Sequence, residues 1–295
     1  LLAADLIALL HRHGRSRRWE LLDERRRTAN ALVQRLDQLK DQQQRQRNRL
    51  EALISRHWPE LPSVIDLNSI SAAELIAAVG SPRYLCAFAD KSEAKLREAS
   101  RGHLDALRIE EILHSAGTTL GMPCLSEENA LLRALGQELV ALHRDILQLS
   151  NTLEREVADD DRLQPMAQVI GAVTTAVLYT HLGSPQRYPN AYSYLKAMGL
   201  NLKEHSSGKH KGRLKLTKRG ASAVRFYLYF AALRLIAHEP PVARWFNTKC
   251  KRPGAIKGKV IVELMRKLAK GLWHQGRGEL FVIDKLFAPP PMRAC

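Results

Sequence analysis

Residues 19–57 read WELLDERRRTANALVQRLDQLKDQQQRQRNRLEALISRH, and this stretch decides the class of fold. Leucines and a few polar residues recur there at alternating three- and four-residue steps, which is typical of a coiled-coil helix. Trp58-Pro59 follows, and proline disfavours helical backbone at the residue before it. We therefore predict one long helix over 19–57. Its seam positions are Leu22, Arg25, Ala29, Leu32, Leu36, Leu39, Gln43, Gln46, Leu50 and Leu53.

A second stretch repeats the same spacing about 75 residues further on. Its seam consists of Leu132, Leu135, Leu139, Leu142, Ile146, Leu149 and Leu153. Between the two stretches, Ser71 with Glu74 three residues later predicts a capped helix start within a small helical insert. The two long helices can pair antiparallel within one chain, across two chains, or both, and the sequence leaves these alternatives open.

The positive charge of the chain is confined to its second half. The 295 residues carry a net charge of +16, but residues 165–295 alone hold 23 Lys and Arg against 5 Asp and Glu. The first 164 residues hold 23 basic and 25 acidic side chains and are nearly neutral. Such segregation predicts a polyanionic partner for the second half. The alternative is a charge that serves only solubility.

Other features of the sequence exclude several classes of protein. Cys86, Cys124, Cys250 and Cys295 form no CxxC pair, which argues against a zinc ribbon or a disulfide framework and fits a reducing compartment. No apolar run approaches the roughly 18 residues of a membrane span, and the first residues do not read as a signal peptide. Because the chain starts at Leu1 and not at Met, we expect it to be an N-terminally incomplete protein.

Gly171 interrupts the apolar segment 166–183 and predicts two short helices joined by a glycine turn. Backbone N–H groups at such a turn can approach a phosphate, and the helix N-terminus adds partial positive charge. The turn is similar to a helix-hairpin-helix clamp on the DNA backbone. A tight packing turn is an equally good interpretation.

The most reactive-looking segment is Ser206-Ser207-Gly208, which lies within a loop dense in Lys and Arg. A serine that attacks a phosphodiester needs an exposed position, cations around the phosphorane, and a route for its proton. The loop supplies the first two. By spacing alone, a flexible loop that only grips phosphate is the stronger interpretation. The candidate DNA-binding residues are Gly171, Gly208, Lys209, Lys211, Arg213, Lys215, Lys218, Arg219 and Arg225.

The order of these motifs resembles the C-terminal transposase domain of the IS-one-ten insertion-sequence family, relatives of the Piv invertases. The residues that carry the resemblance are the Gly171 turn, Met198-Gly199-Leu200, Ser207-Gly208, Leu216-Thr-Lys-Arg-Gly220, the helix with Arg225, and Gly258-Lys259. The resemblance spans about residues 166–287, and the upstream coiled coil is similar to the family's dimerising insert.

The resemblance implies a DNA recombinase that cleaves and rejoins strands during transposition, with Ser207 as its nucleophile. It also implies Mg²⁺ held by four acidic residues of a RuvC-like N-terminal domain, and for some members an element-encoded guide RNA. This sequence departs from the pattern, since the turn reads Gly171-Ala172-Val173 and Ala3 stands where an aspartate is expected. Asp5 is the nearest acid and would substitute only if the register slipped by two, and the other three acids have no counterpart in this sequence. We therefore expect this chain alone to hold no Mg²⁺.

The sequence thus predicts a mostly α protein, in which a long antiparallel coiled coil with a helical insert precedes a compact, basic, all-helical domain. The predicted regions are a RuvC-like remnant at 1–18, a coiled-coil dimerisation region at 19–164, the transposase domain at 165–287 and a tail at 288–295. We expect a cytoplasmic, nucleoid-associated homo-oligomer that binds DNA and no membrane. The alternative function is a non-catalytic, dimeric nucleic-acid-binding protein: a decayed transposase, a regulator or an RNA-binding protein.

Overall fold

A computed structural model describes residues 2–13, 23–87, 92–99, 102, 104–204 and 214–287. Their secondary structure is almost entirely helical, as predicted. No helix among these residues has both the length and the apolar character needed to cross a membrane. The elements, in chain order, are α1 (Leu2–Arg12), α2 (Glu24–His57), α3 (Leu61–Val64), α4 (Ile70–Val79), α5 (Pro82–Cys86), α6 (Ser92–Ala99), α7 (Ala106–Gly117), α8 (Ser126–Ala158), α9 (Gln164–Ile170), α10 (Ala172–Leu182), a 3₁₀ turn (Pro185–Arg187), α11 (Ala191–Ala197), β1 (Leu202–Glu204), β2 (Leu214–Leu216), α12 (Ser222–His238), α13 (Pro240–Cys250), α14 (Lys257–Gln275) and α15 (Ile283–Phe287).

The chain divides into two compact units. We call residues 32–161 the coil unit, and residues 1–31 together with 162–295 the basic unit. Helix α2 belongs to both, because it begins at Glu24 and ends at His57. The predicted boundaries at 18, 164 and 287 stay predictions.

In the coil unit, side-chain bonds join α2 and α8 in antiparallel order within one chain. Gln46 Nε2 donates to Glu138 Oε2 at 2.7 Å, and Arg56 Nη1 lies 3.4 Å from Glu128 Oε1. The partner's residue number therefore falls along α8 as the residue number rises along α2, which is the order of an antiparallel pair. Most of the predicted leucine seam is buried, although Arg25 is exposed and Leu22 lies outside the described residues. Dimerisation through a coiled coil stays a prediction.

Helix α4 packs closely on α8 and contributes to the core of the coil unit. Gly136 of α8 allows the close approach, since a Cβ there would lie 2.5 Å from the backbone nitrogen of Ala77. The cap of α4 is Ser69, whose side chain accepts the Ala72 N–H, so the prediction of Ser71 as the cap was wrong by two positions. The buried core is formed by Leu50, Ile54, Trp58, Leu75, Ile76, Ile112, Leu132, Leu135 and Leu139, among others.

In the basic unit, α9 to α14 surround one apolar core, to which α14 contributes an entire buried face. The unit is not entirely helical, because β1 and β2 form a short antiparallel hairpin with Leu202 opposite Leu216. The sequence prediction treated this segment as loop, since each strand has only three residues and little apolar character.

Helix α12 corrects another expectation. The apolar residues Phe226, Leu228, Phe230, Ala231 and Leu235 predict that this helix is mainly core, but the side chains of Phe226 and Phe230 are 57% and 52% exposed. The rings contact each other edge to face with centroids 4.9 Å apart. The buried face of α12 consists instead of Val224, Tyr227, Leu228, Ala231, Ala232 and Leu235. Trp245, which its apolar character also predicts to lie in the core, is buried.

Candidate nucleic-acid interface

The basic unit contains an open cleft of about 1070 Å³, which we call the basic cleft. Five lysine or arginine side chains line it, and the described lining residues include no Asp or Glu. These five are Arg26, Arg187, Lys196, Lys203 and Arg219. His181, Tyr188, Tyr192, Asn201 and Thr217 also contribute to its walls.

The wall formed by α10 is held by Arg26, from the first turn of α2. Its Nε and Nη2 donate to the carbonyl oxygen of Thr180 at 3.1 and 2.9 Å. This carbonyl lies in the last turn of α10, where unpaired carbonyls and the helix dipole favour a cation. The side chain of Arg26 is only 8% exposed, so the arginine is packed inside the basic unit as well as lining the cleft.

A second wall is fixed around Tyr188. Its hydroxyl donates to the carbonyl of Leu182 at 3.0 Å, and its own carbonyl accepts the Trp273 Nε1–H at 3.1 Å. Tyr192, at the start of α11, is 57% exposed. An exposed tyrosine beside cations offers a surface on which a base can stack.

The β1–β2 hairpin forms the third wall. Lys203 and Lys215 lie opposite each other in its register, and both side chains are exposed. The Thr217 N–H donates to the carbonyl of Asn201, and the Thr217 hydroxyl donates to the Asn201 side-chain oxygen. Lys218 follows with φ of 53°, a left-handed conformation that is uncommon for a residue other than glycine.

Residues 166–247, which contain most of these walls, match the model of the "Transposase IS116/IS110/IS902 family". We call residues 166–247 the transposase domain, after the family whose model they match. The predicted family resemblance is thereby confirmed for this part of the chain.

Two curated relatives extend the similarity. A "Probable family 20 transposase" of Pseudomonas aeruginosa is 26% identical over 168 residues, which cover 55% of this chain and 49% of the relative. The "Transposase for insertion sequence element IS1328" of Yersinia enterocolitica is 28% identical over 149 residues, which cover 48% of this chain and 44% of the relative. The chain thus spans about half the length of the curated relatives it matches.

The structure places some of the predicted site residues of the transposase domain and not others. Arg219 lines the basic cleft, and Lys215 lies on the hairpin that forms one wall of it. The proposed nucleophile Ser207 lies outside the described residues, as do Gly208, Lys209, Lys211 and Arg213. Their roles stay predictions.

Arg225 is engaged with backbone of its own domain. Its Nη1 lies within hydrogen-bond distance of the carbonyls of Met198, Gly220 and Ala221 at 3.1–3.3 Å. These bonds join the start of α12 to the end of α11 and hold the backbone on either side of the β1–β2 pair in place. They show what Arg225 does in the fold, and its assignment to DNA binding stays a prediction.

Gly171 lies between α9 and α10 with φ of 84°, as the glycine-turn prediction requires. The Arg234 guanidinium covers the turn, because Nη2 donates to the Val169 carbonyl at 2.9 Å and Nη1 lies 2.9 Å from where a Cβ on Gly171 would be. A phosphate clamp at this turn stays a prediction.

Sequence reasoning missed Arg26, Arg187 and Lys196 as lining residues of the cleft. Arg26 lies in the polar part of the predicted coiled-coil helix, outside its seam, and nothing in the sequence points from there to Thr180. Lys203 lies just before the basic loop, where the local sequence does not single it out. Within the described residues, the one group of three or more possible metal-binding side chains is His57, Cys124 and Glu128, in the coil unit.

Proposed function

We propose that the transposase domain binds a DNA strand along the basic cleft, and that the intact protein cleaves and rejoins DNA during transposition. The observation that supports this proposal is the lining of the cleft by five basic side chains with no acidic residue among the described ones. Fixed cations spaced along a groove neutralise successive phosphates and release counterions.

The hairpin adds a second argument for a polyanion. Lys203 and Lys215 stand opposite each other, and like charges in directly opposite positions destabilise an antiparallel pair. A phosphate bound near both ammonium groups would remove this repulsion. The exposed ring of Tyr192 lies on the same cleft and would stack on a base without selecting its sequence.

In the proposed chemistry, the Ser207 hydroxyl attacks phosphorus in a strand and forms a phosphoserine ester. The P–O bond to one strand end breaks, the leaving oxygen takes up a proton, and the serine proton passes to a general base. A free hydroxyl of another strand then attacks the phosphoserine, which restores the serine and joins the new ends. Lys209, Lys211, Arg213, Lys218 and Arg219 would stabilise the charge on the transferring phosphoryl group.

We also propose that the intact enzyme uses Mg²⁺, but no step above is routed through it. Mg²⁺ prefers a shell of oxygen donors. The three-residue donor group of the described chain offers an imidazole, a thiol and one carboxylate, which does not fit that preference. A guide RNA and a coiled-coil oligomer likewise belong to the proposal for the intact protein.

DNA binding is tested by fluorescence anisotropy of the full chain with a labelled duplex at several salt concentrations. Lys196→Ala, Lys203→Ala and Arg219→Ala each remove an exposed cation that lines the cleft. We expect each to weaken binding and to reduce the slope of log K against log salt by about one. The matched controls Lys251→Ala and Arg252→Ala remove exposed cations of the same unit that do not line the cleft. Equal losses in both sets would refute the assignment of the cleft.

The nucleophile is tested by trapping with DNA that carries a phosphorothiolate linkage, using the full-length gene product. We expect a covalent adduct that Ser207→Ala abolishes and the neighbouring Ser206→Ala retains. Recombination that persists in Ser207→Ala, together with no adduct in the unmodified protein, would refute Ser207 as the nucleophile. No adduct and no recombination with the full-length protein would leave the non-catalytic binding protein as the better description. Sequencing of co-purified nucleic acid would show whether that protein binds RNA instead.

A further inference from the structure

We propose that His57, Cys124 and Glu128 bind one divalent transition-metal cation with zinc-like ligand preference. The three side chains come from the last residue of α2, the segment that precedes α8, and the first turn of α8. One ligand atom from each lies within 4.8 Å of those from the other two. This site belongs to the coil unit and does not depend on the proposed function.

His57 presents an unused nitrogen to this cluster. Its side chain is 1% exposed, and Nδ1 lies 3.1 Å from the carbonyl oxygen of Met122. A carbonyl can only accept, so Nδ1 carries the proton and Nε2 keeps its lone pair in the neutral ring. This arrangement, with one ring nitrogen donating to a backbone carbonyl, is the one that metal-binding histidines adopt.

Nε2 of His57 has no hydrogen-bond partner although it is buried. The nearest oxygen of Glu128 is 3.6 Å away, which is too long for a hydrogen bond. Burying a polar atom without a partner costs free energy, and such an atom therefore requires an explanation. A metal ion placed among the three side chains would satisfy the nitrogen.

A hydrogen bond to the backbone before α8 orients the Glu128 carboxylate toward the cluster. Its Oε2 accepts the Leu125 N–H at 3.0 Å, which closes the first turn of α8, and its Oε1 faces His57 and Arg56. Cys124 is 2% exposed, and its thiol makes a long contact of 3.6 Å to the Leu125 carbonyl and also interacts with the Ser81 side chain. A thiolate and a carboxylate would together balance the charge of a divalent cation.

The segment that carries Cys124 is tied to the end of α2. The Met122 N–H donates to the Arg56 carbonyl at 2.9 Å, and Glu60 accepts bonds from Thr119 and Leu120. A Cβ on Gly121 would lie 2.3 Å from the carbonyl oxygen of His57, so the two segments approach more closely than any other residue type permits. The donors are thus held in position by backbone contacts.

The donor set selects the kind of metal. An imidazole, a thiolate and a single carboxylate suit Zn²⁺ and similar borderline ions, and not Mg²⁺ or Ca²⁺. Bond lengths of about 2.0–2.3 Å in a tetrahedral zinc site place ligand atoms about 3–4 Å apart, so small side-chain rotations would close this cluster. A cavity of about 370 Å³, lined by His57 and Cys124, adjoins the site and leaves room for water as a fourth ligand.

The test uses the full chain without a histidine tag, freed of metal with a chelator and then titrated with zinc sulfate. We expect one zinc per chain by elemental analysis after gel filtration, and a rise in the thermal unfolding midpoint. Cys124→Ala should weaken zinc binding by at least about 100-fold, because changes beyond the direct ligands alone cost about 10–100-fold. The exposed thiol variant Cys86→Ala should bind zinc normally.

Glu128→Gln serves as a second variant, because its amide oxygen can still accept the Leu125 N–H while its charge is lost. Its control is Glu127→Gln on the same helical turn. Cobalt(II) supplies an independent readout, since a thiolate-to-cobalt absorption band should be present in Cys86→Ala and absent in Cys124→Ala. No zinc uptake by the unmodified chain, or uptake that Cys124→Ala and Glu128→Gln leave unchanged, would overturn the proposal.

Discussion

The guanidinium of Arg26 donates two hydrogen bonds to the carbonyl of Thr180, a residue 154 positions further along the chain. This contact attaches the first turn of the long helix α2 to the end of α10, within the same compact unit. Because Arg26 also lines the basic cleft, one side chain contributes both to folding of the transposase domain and to the surface proposed to bind DNA.

Arg26→Ala is expected to lower the free energy of unfolding by about 1–3 kcal/mol, because it leaves the Thr180 carbonyl without these donors. Arg27→Ala is the matched control, since the next side chain along α2 is exposed. Urea denaturation followed by circular dichroism measures both. If the two variants unfold at the same urea concentration, Arg26 does not stabilise the unit as we infer.

Gly136→Ala should destabilise the coil unit, although alanine is intrinsically the better helix former by about 1 kcal/mol. The added Cβ would lie 2.5 Å from the Ala77 nitrogen and 2.9 Å from the Ala73 carbonyl oxygen, and overpacking costs about 1–3 kcal/mol. Gly117→Ala adds a methyl group at the end of α7 with nothing within 4 Å, so it should be neutral or stabilising. Thermal unfolding compares the two, and a gain in Gly136→Ala would contradict the close packing of α4 on α8.

Tyr194→Phe is expected to maintain stability or raise it by up to about 1–2 kcal/mol, because it removes a buried hydroxyl that has no hydrogen-bond partner. Burial raises the pKa of Tyr194, so its hydroxyl stays neutral. Tyr188→Phe removes the bond to the Leu182 carbonyl and should cost about 0.5–1.5 kcal/mol. Both variants retain the edge-to-face contact between the rings. Chemical denaturation that ranks the two in the opposite order would show that Tyr194 does find a partner.

Lys267 predicts a pH dependence of stability. Its ammonium group donates to the Leu286 carbonyl at 2.7 Å, and burial, followed by the nearby Lys249, lowers its pKa below the usual 10.5. Between the lowered pKa and 10.5 the unfolded chain binds more protons, so this group makes the protein more stable as pH rises. The free energy of unfolding of the wild type should therefore increase, relative to Lys267→Met, as pH approaches 10.5. Denaturation curves at several alkaline pH values measure the difference in unfolding free energy between the wild type and Lys267→Met. A difference that stays constant with pH would contradict the prediction.

Several features could be predicted from local sequence because they depend on spacing. The two long helices α2 and α8 follow from the three- and four-residue steps of leucine, and the break at Gly171 follows from a residue that tolerates positive φ. The transposase resemblance depended on the order of short motifs and was confirmed over residues 166–247. The predictions that failed concerned which side of a helix faces the core. Phe226 and Phe230 are apolar, but the tertiary packing of α12 turned other residues of that helix inward.

By itself the sequence determined that the chain is mostly helical and that its positive charge lies in the second half, because helical periodicity and net charge are sums over neighbouring residues. Only the tertiary structure decided which cations share a cleft and which donors meet around His57. Arg26 and Thr180, or His57 and Glu128, are far apart along the chain, and contacts between such residues arise from packing of helices whose pairing no local pattern specifies. Composition therefore predicted a polyanionic partner, and the fold supplied a cleft in which to test it.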